Sequence, residues 1–158
     1  LTFCLLCRYD ALCGPGSKEG GGFHAALPTA AFDHLSAEGG VESFASPLLC
    51  HGGAWRFCSV FRDLDVFYGS LGPFLDEDLD IALVGGTFEV NPPFVRGLVL
   101  RLAEKLLAGL ARAQAAGTVL RVLLVLPGLS QHGRGDGEGP HIDALDRLLR
   151  CPCVVGAS

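Results

Sequence analysis

Methionine is absent from this sequence, tryptophan occurs once, tyrosine twice, and charged side chains make up only 18% of the 158 residues. With Leu1 in first place, the missing methionine predicts a cut piece of a larger protein rather than a complete translation product. Low charge combined with 49% hydrophobic residues excludes disorder along the whole chain, because there is enough apolar surface to offset the entropy of ordering. Long apolar runs are lacking too. Residues 119–129 are too few to span a bilayer and contain Arg121 and Pro127, while residues 98–111 are broken by Arg101, Glu104 and Lys105. The first residues lack the charged, apolar and small-residue succession of a secretory signal. There is no basic surplus: 12 Lys and Arg against 17 Asp and Glu give a formal charge of -5, which excludes a self-sufficient nucleic-acid clamp. An RNA partner would need a local arginine patch, or segments beyond this sequence, to hold its backbone. Seven cysteines are an odd number without disulfide-framework spacing, so they read as thiols in an intracellular, reducing setting.

What is present is enough for one compact domain and too little for two of ordinary size. Residues 1–40 read as a helical lead-in and residues 41–158 as the core, together one compact unit. Residues 1–13 have near-helical apolar spacing and stop at Gly14-Pro15; residues 27–40 carry Pro28 in a first turn and close on Gly39-Gly40. Residues 41–47 predict a strand followed by a turn at Pro47. Residues 48–61 read as a helix despite Gly52 and Gly53, residues 65–70 as a short strand, and residues 86–90 as a strand. From Pro93 to Ala116, Val95, Leu98, Val99, Leu102, Leu106 and Leu110 fall on one helical face, with Arg101, Glu104, Lys105 and Arg112 opposite and Gly117 as the stop. Residues 118–127 are a nearly continuous apolar run, of the type buried on both faces of a parallel sheet. A helix over 141–150 then leads to a final strand over 151–155. The alternation is that of an α/β fold. The stretches 14–22 and 132–140 are rich in glycine and read as loose loops.

In an open α/β sheet, ligands gather where strands end and loops turn into helices. Three places qualify: Phe44 to Pro47, Asn91 to Phe94, and Pro127 to Leu129. The second has a chemical reading. An exocyclic amine on adenine, or a carboxamide nitrogen, is a poor nucleophile because its lone pair is delocalised into the adjoining π system. The Asn91 side-chain oxygen and the Pro92 carbonyl can each accept one N–H, which frees the lone pair to face an electrophile. Pro92 and Pro93 stiffen the turn, and Phe94 offers a face for a flat base. The plainer reading of Asn-Pro-Pro is a rigid turn before a helix.

The segments "FASPL" (44–48), "RFCSVFRDLD" (56–65), "FYGSLGPFLD" (67–76) and "GGTFEVNPPF" (85–94), in this order and spacing, resemble the catalytic core of the phosphorylated-CTD-interacting-factor family. "RYDALC" (8–13) and "FHAALPTAAFDHL" (23–35) resemble the segment leading into it. The resemblance implies a Rossmann-like, S-adenosylmethionine-dependent methyltransferase core, incomplete at its C-terminal edge. It implies a nuclear enzyme that modifies N6 of the 2'-O-methyladenosine next to the mRNA cap. Capped mRNA would be the substrate, and the phosphorylated tail of RNA polymerase II would be bound by a WW domain absent from this chain.

By the same resemblance, Asn91, Pro92, Pro93 and Phe94 are catalytic. Phe44, Ala45, Ser46, Pro47 and Asn91 bind the cofactor, with Gly69 and Ser70 as further candidates. Phe94, Arg96, Pro127 and Leu129 face the substrate. Asp65 is considered for the cofactor ribose but reads better as an exposed loop residue. Two departures stand out: Arg96 lies where the family has an acidic residue, and Gly128 and Leu129 replace a Glu-Trp pair. They motivate a second reading, a catalytically weakened homologue that serves as a scaffold of the transcription machinery.

Other signals are set aside. Cys4, Cys7 and Cys13 with Cys151 and Cys153 lack paired zinc-knuckle spacing, so no metal is expected. Arg134-Gly135-Asp136 reads as a solvated loop. Ser130 with His132 or His141 fails the hydrolase elbow pattern. His24, His34 and His51 read as surface or helix-end residues, and Arg101, Glu104, Lys105 and Arg112 as a wet helix face.

Overall fold

The computed structural model describes residues 1–13, 27–35, 39–93, 95–126 and 140–154. Helices α1 (Thr2–Cys13) and α2 (Thr29–Leu35) precede strands β1 (Val41–Glu42) and β2 (Arg56–Phe57). A short helix α3 (Arg62–Asp65), a 3-10 turn (Val66–Tyr68) and helix α4 (Ile81–Val84) lead to strand β3 (Gly86–Val90). Helix α5 (Arg96–Ala116), strand β4 (Leu120–Leu124) and helix α6 (Pro140–Leu149) follow.

The four strands form one parallel sheet in the order β2-β1-β3-β4. Ser70 extends it by one parallel bridge to Phe57. The apolar stripe of α5 explains its place: Leu102 and Leu106 are buried with Val41, Phe88 and Val90 of the sheet, and Leu148 of α6 joins the same core. Gly117 ends α5 in the left-handed conformation, φ 66°, with its N–H donated to Ala113 and Gln114 carbonyls. Asp80 caps α4 by accepting the Ala82 N–H at 3.0 Å. Gly109 allows α5 to lie directly on Ile81, since a Cβ there would overlap the isoleucine side chain.

Several expectations require correction. Residues 48–61 are not a helix. Gly52 and Gly53 adopt positive φ of 77° and 64°, and the chain opens into a loop and strand β2. Residues 66–68 form a 3-10 turn where a strand is expected, leaving only Ser70 in the sheet. Strand β4 is not buried on both faces: Val119, Arg121 and Leu123 are exposed. Cys151 and Cys153 are joined by a disulfide within a turn, which replaces both the thiol reading and the final strand there. Cys4, Cys7, Cys50 and Cys58 are free thiols. No described helix is long and apolar enough to cross a membrane. Among the described residues no group of three or more His, Cys, Asp or Glu converges as metal ligands.

Candidate functional site at the sheet switch point

From β1 the chain passes to β2 on one side and then crosses back to β3 on the other. The carboxyl ends of β1 and β3 therefore frame the crevice where open parallel sheets bind ligands. Residues 43–47 follow β1 and Asn91 follows β3, so two of the three expected segments meet here. The first segment is tied to the strands on either side of it. Ser43 donates its N–H to the Glu89 carbonyl at 2.8 Å, and Ala45 donates to the Cys58 carbonyl at 3.0 Å. Ser46 is buried and its carbonyl accepts from Leu49 and Cys50 at 3.1 and 2.9 Å, which makes Pro47 part of a tight turn. Phe44 packs against Phe74, with ring centres 5.5 Å apart, and so belongs to the core as much as to the crevice.

On the other side, Asn91 is half-buried, Pro92 buried and Pro93 half-buried. The Pro93 carbonyl accepts the Val95 N–H at 2.8 Å, and the Val95 carbonyl accepts from Leu98 and Val99 as α5 begins. The two prolines thus occupy the turn that converts strand into helix, as their fixed φ favours. Arg96 is the first residue of α5. Phe94, Pro127, Leu129, Ser130, His132 and Arg134–Asp136 lie outside the described residues.

Ser70 is buried at the edge of the same sheet end, where its hydroxyl bonds Ser59 Oγ at 2.6 Å and accepts the Gly72 N–H at 3.0 Å. Gly69 is exposed and closes the 3-10 turn with φ 92°. Its conformational role is evident, and it sits on the amino side of the bridge.

Three features escaped sequence reasoning. Asp65 is fully buried rather than exposed: Oδ2 accepts from the Tyr9 hydroxyl at 2.7 Å and the Phe61 N–H at 3.2 Å. Asp65 Oδ1 and Ser43 Oγ are buried without a hydrogen-bond partner among the described residues. Burial, reinforced by Asp65, holds the Tyr9 phenol well above its ordinary value. Lys105 is not simply solvated, because its ammonium donates to the Asp76 and Leu79 carbonyls at 2.6 and 2.8 Å, and Arg112 pairs with Asp80 at 3.1 Å. His51 is likewise packed, its ring stacked on Phe32 at 4.5 Å. His34 stays at a helix end, bonded to the Ala30 carbonyl.

The third feature is electrostatic. Glu42 and Glu89 are register partners on β1 and β3, so their side chains leave the same face of the sheet about 4.8 Å apart. Both are buried. Burial and the neighbouring Glu42 push the Glu89 carboxyl up to about 7. Burial also raises Glu42, opposed by the His51 N–H, which donates to Glu42 Oε2 at 2.7 Å. An alternating apolar and acidic strand sequence, V-E and F-E-V, is the only hint in the chain.

An open concavity of about 390 Å³ lies elsewhere, lined by Asp80, Ala82, Leu83, Arg112, Ala115 and Ala116. It adjoins the start of β3 and the end of α5. Its walls are mostly apolar, without the convergent polar groups of a cofactor site.

A family model described as the phosphorylated CTD interacting factor 1 WW domain matches residues 1–134. The chain belongs to this family. The mRNA (2'-O-methyladenosine-N(6)-)-methyltransferase of Homo sapiens is 43% identical over 100 residues, covering 62% of this chain and 13% of the human protein. The protein of the same name from Mus musculus is 42% identical over 100 residues, with the same coverage. The chain thus spans about 13% of the length of the curated relatives it matches. Within the family-model match, the described residues fold as a mixed α/β unit with a parallel sheet.

Proposed function

We propose that this chain supplies the cofactor and amine side of a Rossmann-like methyltransferase. The enzyme would use S-adenosylmethionine to modify N6 of the cap-adjacent 2'-O-methyladenosine of mRNA. The observation that carries the reading is that residues 43–47 and the Asn91–Pro92 turn leave the carboxyl ends of the neighbouring strands β1 and β3 at the sheet switch point, where Ser43 bonds the Glu89 carbonyl. The relatives' printed names supply the reaction.

The residues present fit the cofactor in kind. Ser43 has a buried hydroxyl with no described partner at the end of β1, and the segment Phe44 to Pro47 wraps the same strand end. S-adenosylmethionine, when bound, supplies a methyl carbon activated by its sulfonium. Asn91 Oδ1 and the Pro92 carbonyl would accept the two N–H bonds of the adenine amine, which leaves its lone pair aimed at that carbon. The Pro92-Pro93 turn sets both acceptors before substrate arrives, so little reorganisation accompanies reaction. Phe94 would stack on the base, with Arg96, Pro127 and Leu129 along the acceptor strand. Gly69 and Ser70 would shape the floor beside β2. The proton leaving the methylated amine would pass to water.

Isothermal calorimetry of the full-length protein with S-adenosylmethionine, followed by labelled methyl transfer to capped and uncapped adenosine RNA, tests this. Transfer confined to capped RNA, and reduced about 100-fold to 1,000-fold by Asn91→Ala in a folded protein, is the expected result. Undiminished transfer by that variant defeats the role given to Asn91.

The family's phosphorylated RNA polymerase II tail would be a partner through a WW domain, in the nucleus. A second reading, a weakened homologue that retains the scaffold role, is favoured by Arg96 and Leu129. Binding to a phosphorylated tail peptide without cofactor binding would select it.

A further inference from the structure

We propose that Glu42 and Glu89 form a proton-sharing clasp beneath the candidate site, a positioning pair that holds the Asn91 turn against residues 43–47. This rests on the methyltransferase reading above and concerns the control of that same site.

The geometry carries it. Glu42 is the last residue of β1, immediately before the loop that begins at Ser43, and Glu89 stands two residues before Asn91. Strand alternation puts Glu89 and Asn91 on one face, one pleat apart. The pair therefore sits across the switch point, directly below both halves of the crevice, where the strands are also tied by the Ser43 N–H to Glu89 carbonyl bond. The groups bearing on it are few. The Cys50 thiol and the His51 ring lie beside Glu42, and among the described side chains no lysine or arginine pairs with either carboxylate. Two buried carboxylates at strand spacing cannot both ionise cheaply. With one proton between them, one carboxyl can donate to the other and bind the strands together. With none, like charges face each other across the junction and push it apart.

The proton is released in the neutral range, since the Glu89 carboxyl titrates at about 7. If only the protonated clasp presents an assembled crevice, apparent affinity follows the fraction in that state and weakens roughly tenfold from about pH 6 to about pH 8.

The test uses the full-length protein as wild type, Glu89→Gln and Glu42→Gln. Melting temperature and S-adenosylmethionine affinity are followed across that pH range, with infrared spectra of the wild type in the carboxylic C=O region. The amide of Glu89→Gln mimics the protonated acid. The expected results are a wild-type melting temperature that falls as pH rises to about 7 and then levels, an affinity that falls mainly above about 7, and flat profiles for Glu89→Gln. Glu42→Gln should shift the transition upward in acidity, to lower pH, because the like charge is gone. A protonated carboxylic band in the wild type that disappears through neutral pH supports the clasp without any variant. The same pH slope in Glu89→Gln as in wild type, or no such band at low pH, overturns it. Wild-type affinity that ignores pH while melting responds overturns the link to the site. Absence of cofactor binding at every pH, with the melting and infrared responses intact, sinks the methyltransferase reading and leaves the clasp standing.

Discussion

Tyr9 in helix α1 donates its hydroxyl hydrogen to Asp65 at the end of α3, 2.7 Å away and 56 residues later in the chain. The contact joins the lead-in to the core through a buried carboxylate. Arg8 adds an ion pair to Asp63 at 2.6 Å and lies 5.3 Å from the centre of the Phe61 ring. The ion pair is exposed and contributes little. The Tyr9 bond matters more, because its loss leaves a buried acceptor with one donor fewer.

Tyr9→Phe should therefore lower stability by about 1–3 kcal/mol, the cost of an under-satisfied buried polar group. Arg8→Ala should change it by less than about 1 kcal/mol. Urea unfolding of the two variants checks the order; equal effects would show that Asp65 draws nothing from Tyr9.

Gly109→Ala sets two effects against each other. Alanine gains about 1 kcal/mol of helix propensity, but its Cβ overlaps Ile81, which is fully buried. Overpacking of this kind costs about 1–3 kcal/mol. A net loss of stability is expected, relieved in the Gly109→Ala, Ile81→Val double variant. A double variant no more stable than Gly109→Ala would refute the steric account.

Lys105 reaches out of α5 to two carbonyls in the segment before α4. Burial depresses its basicity, while the two carbonyl acceptors favour the ammonium form. Lys105→Ala should cost about 1–3 kcal/mol and increase hydrogen exchange in residues 76–80. Unchanged exchange there would show that the carbonyls find other donors.

On the proposed reading, Asn91→Ala removes one of the two acceptors for the substrate amine. A fall in kcat of about 100-fold to 1,000-fold is expected, by analogy with deletion of one preorganised hydrogen-bonding group, with cofactor affinity changed much less. Single-turnover methyl transfer separates the two.

Glu89 gives stability a defined pH dependence. Its carboxyl is raised in the folded protein from 4.5 to about 7, so its favourable contribution is complete below about 4.5 and is lost as pH rises through about 7. The span corresponds to a loss on the order of 3 kcal/mol. Chemical denaturation of wild type and Glu89→Gln at about pH 4.5 and about pH 7.5 reads this difference directly.

Much of the frame was legible because it rests on local periodicity. The α5 stripe, its Gly117 stop, strand β3 and the α/β alternation all follow from the spacing of apolar residues within one element. The Asn91–Pro93 turn was legible for a related reason, since proline restricts its own backbone whatever surrounds it. Residues 48–61 have apolar spacing that suits a helix, but the positive φ of Gly52 and Gly53 ends any helix there.

Pairings across distance were not legible. Nothing near Tyr9 names Asp65, and nothing near Glu42 names Glu89. A strand sequence specifies which side chains share a face, but only the register of β1 against β3 sets two acids side by side and places one beneath Asn91. Local sequence was enough for helix α5, strand β3, the likeness to a methyltransferase family and the stiff turn after β3. Tertiary structure alone decided which strand ends meet and which charges are taken out of water, because those depend on long-range packing and on the dielectric it creates.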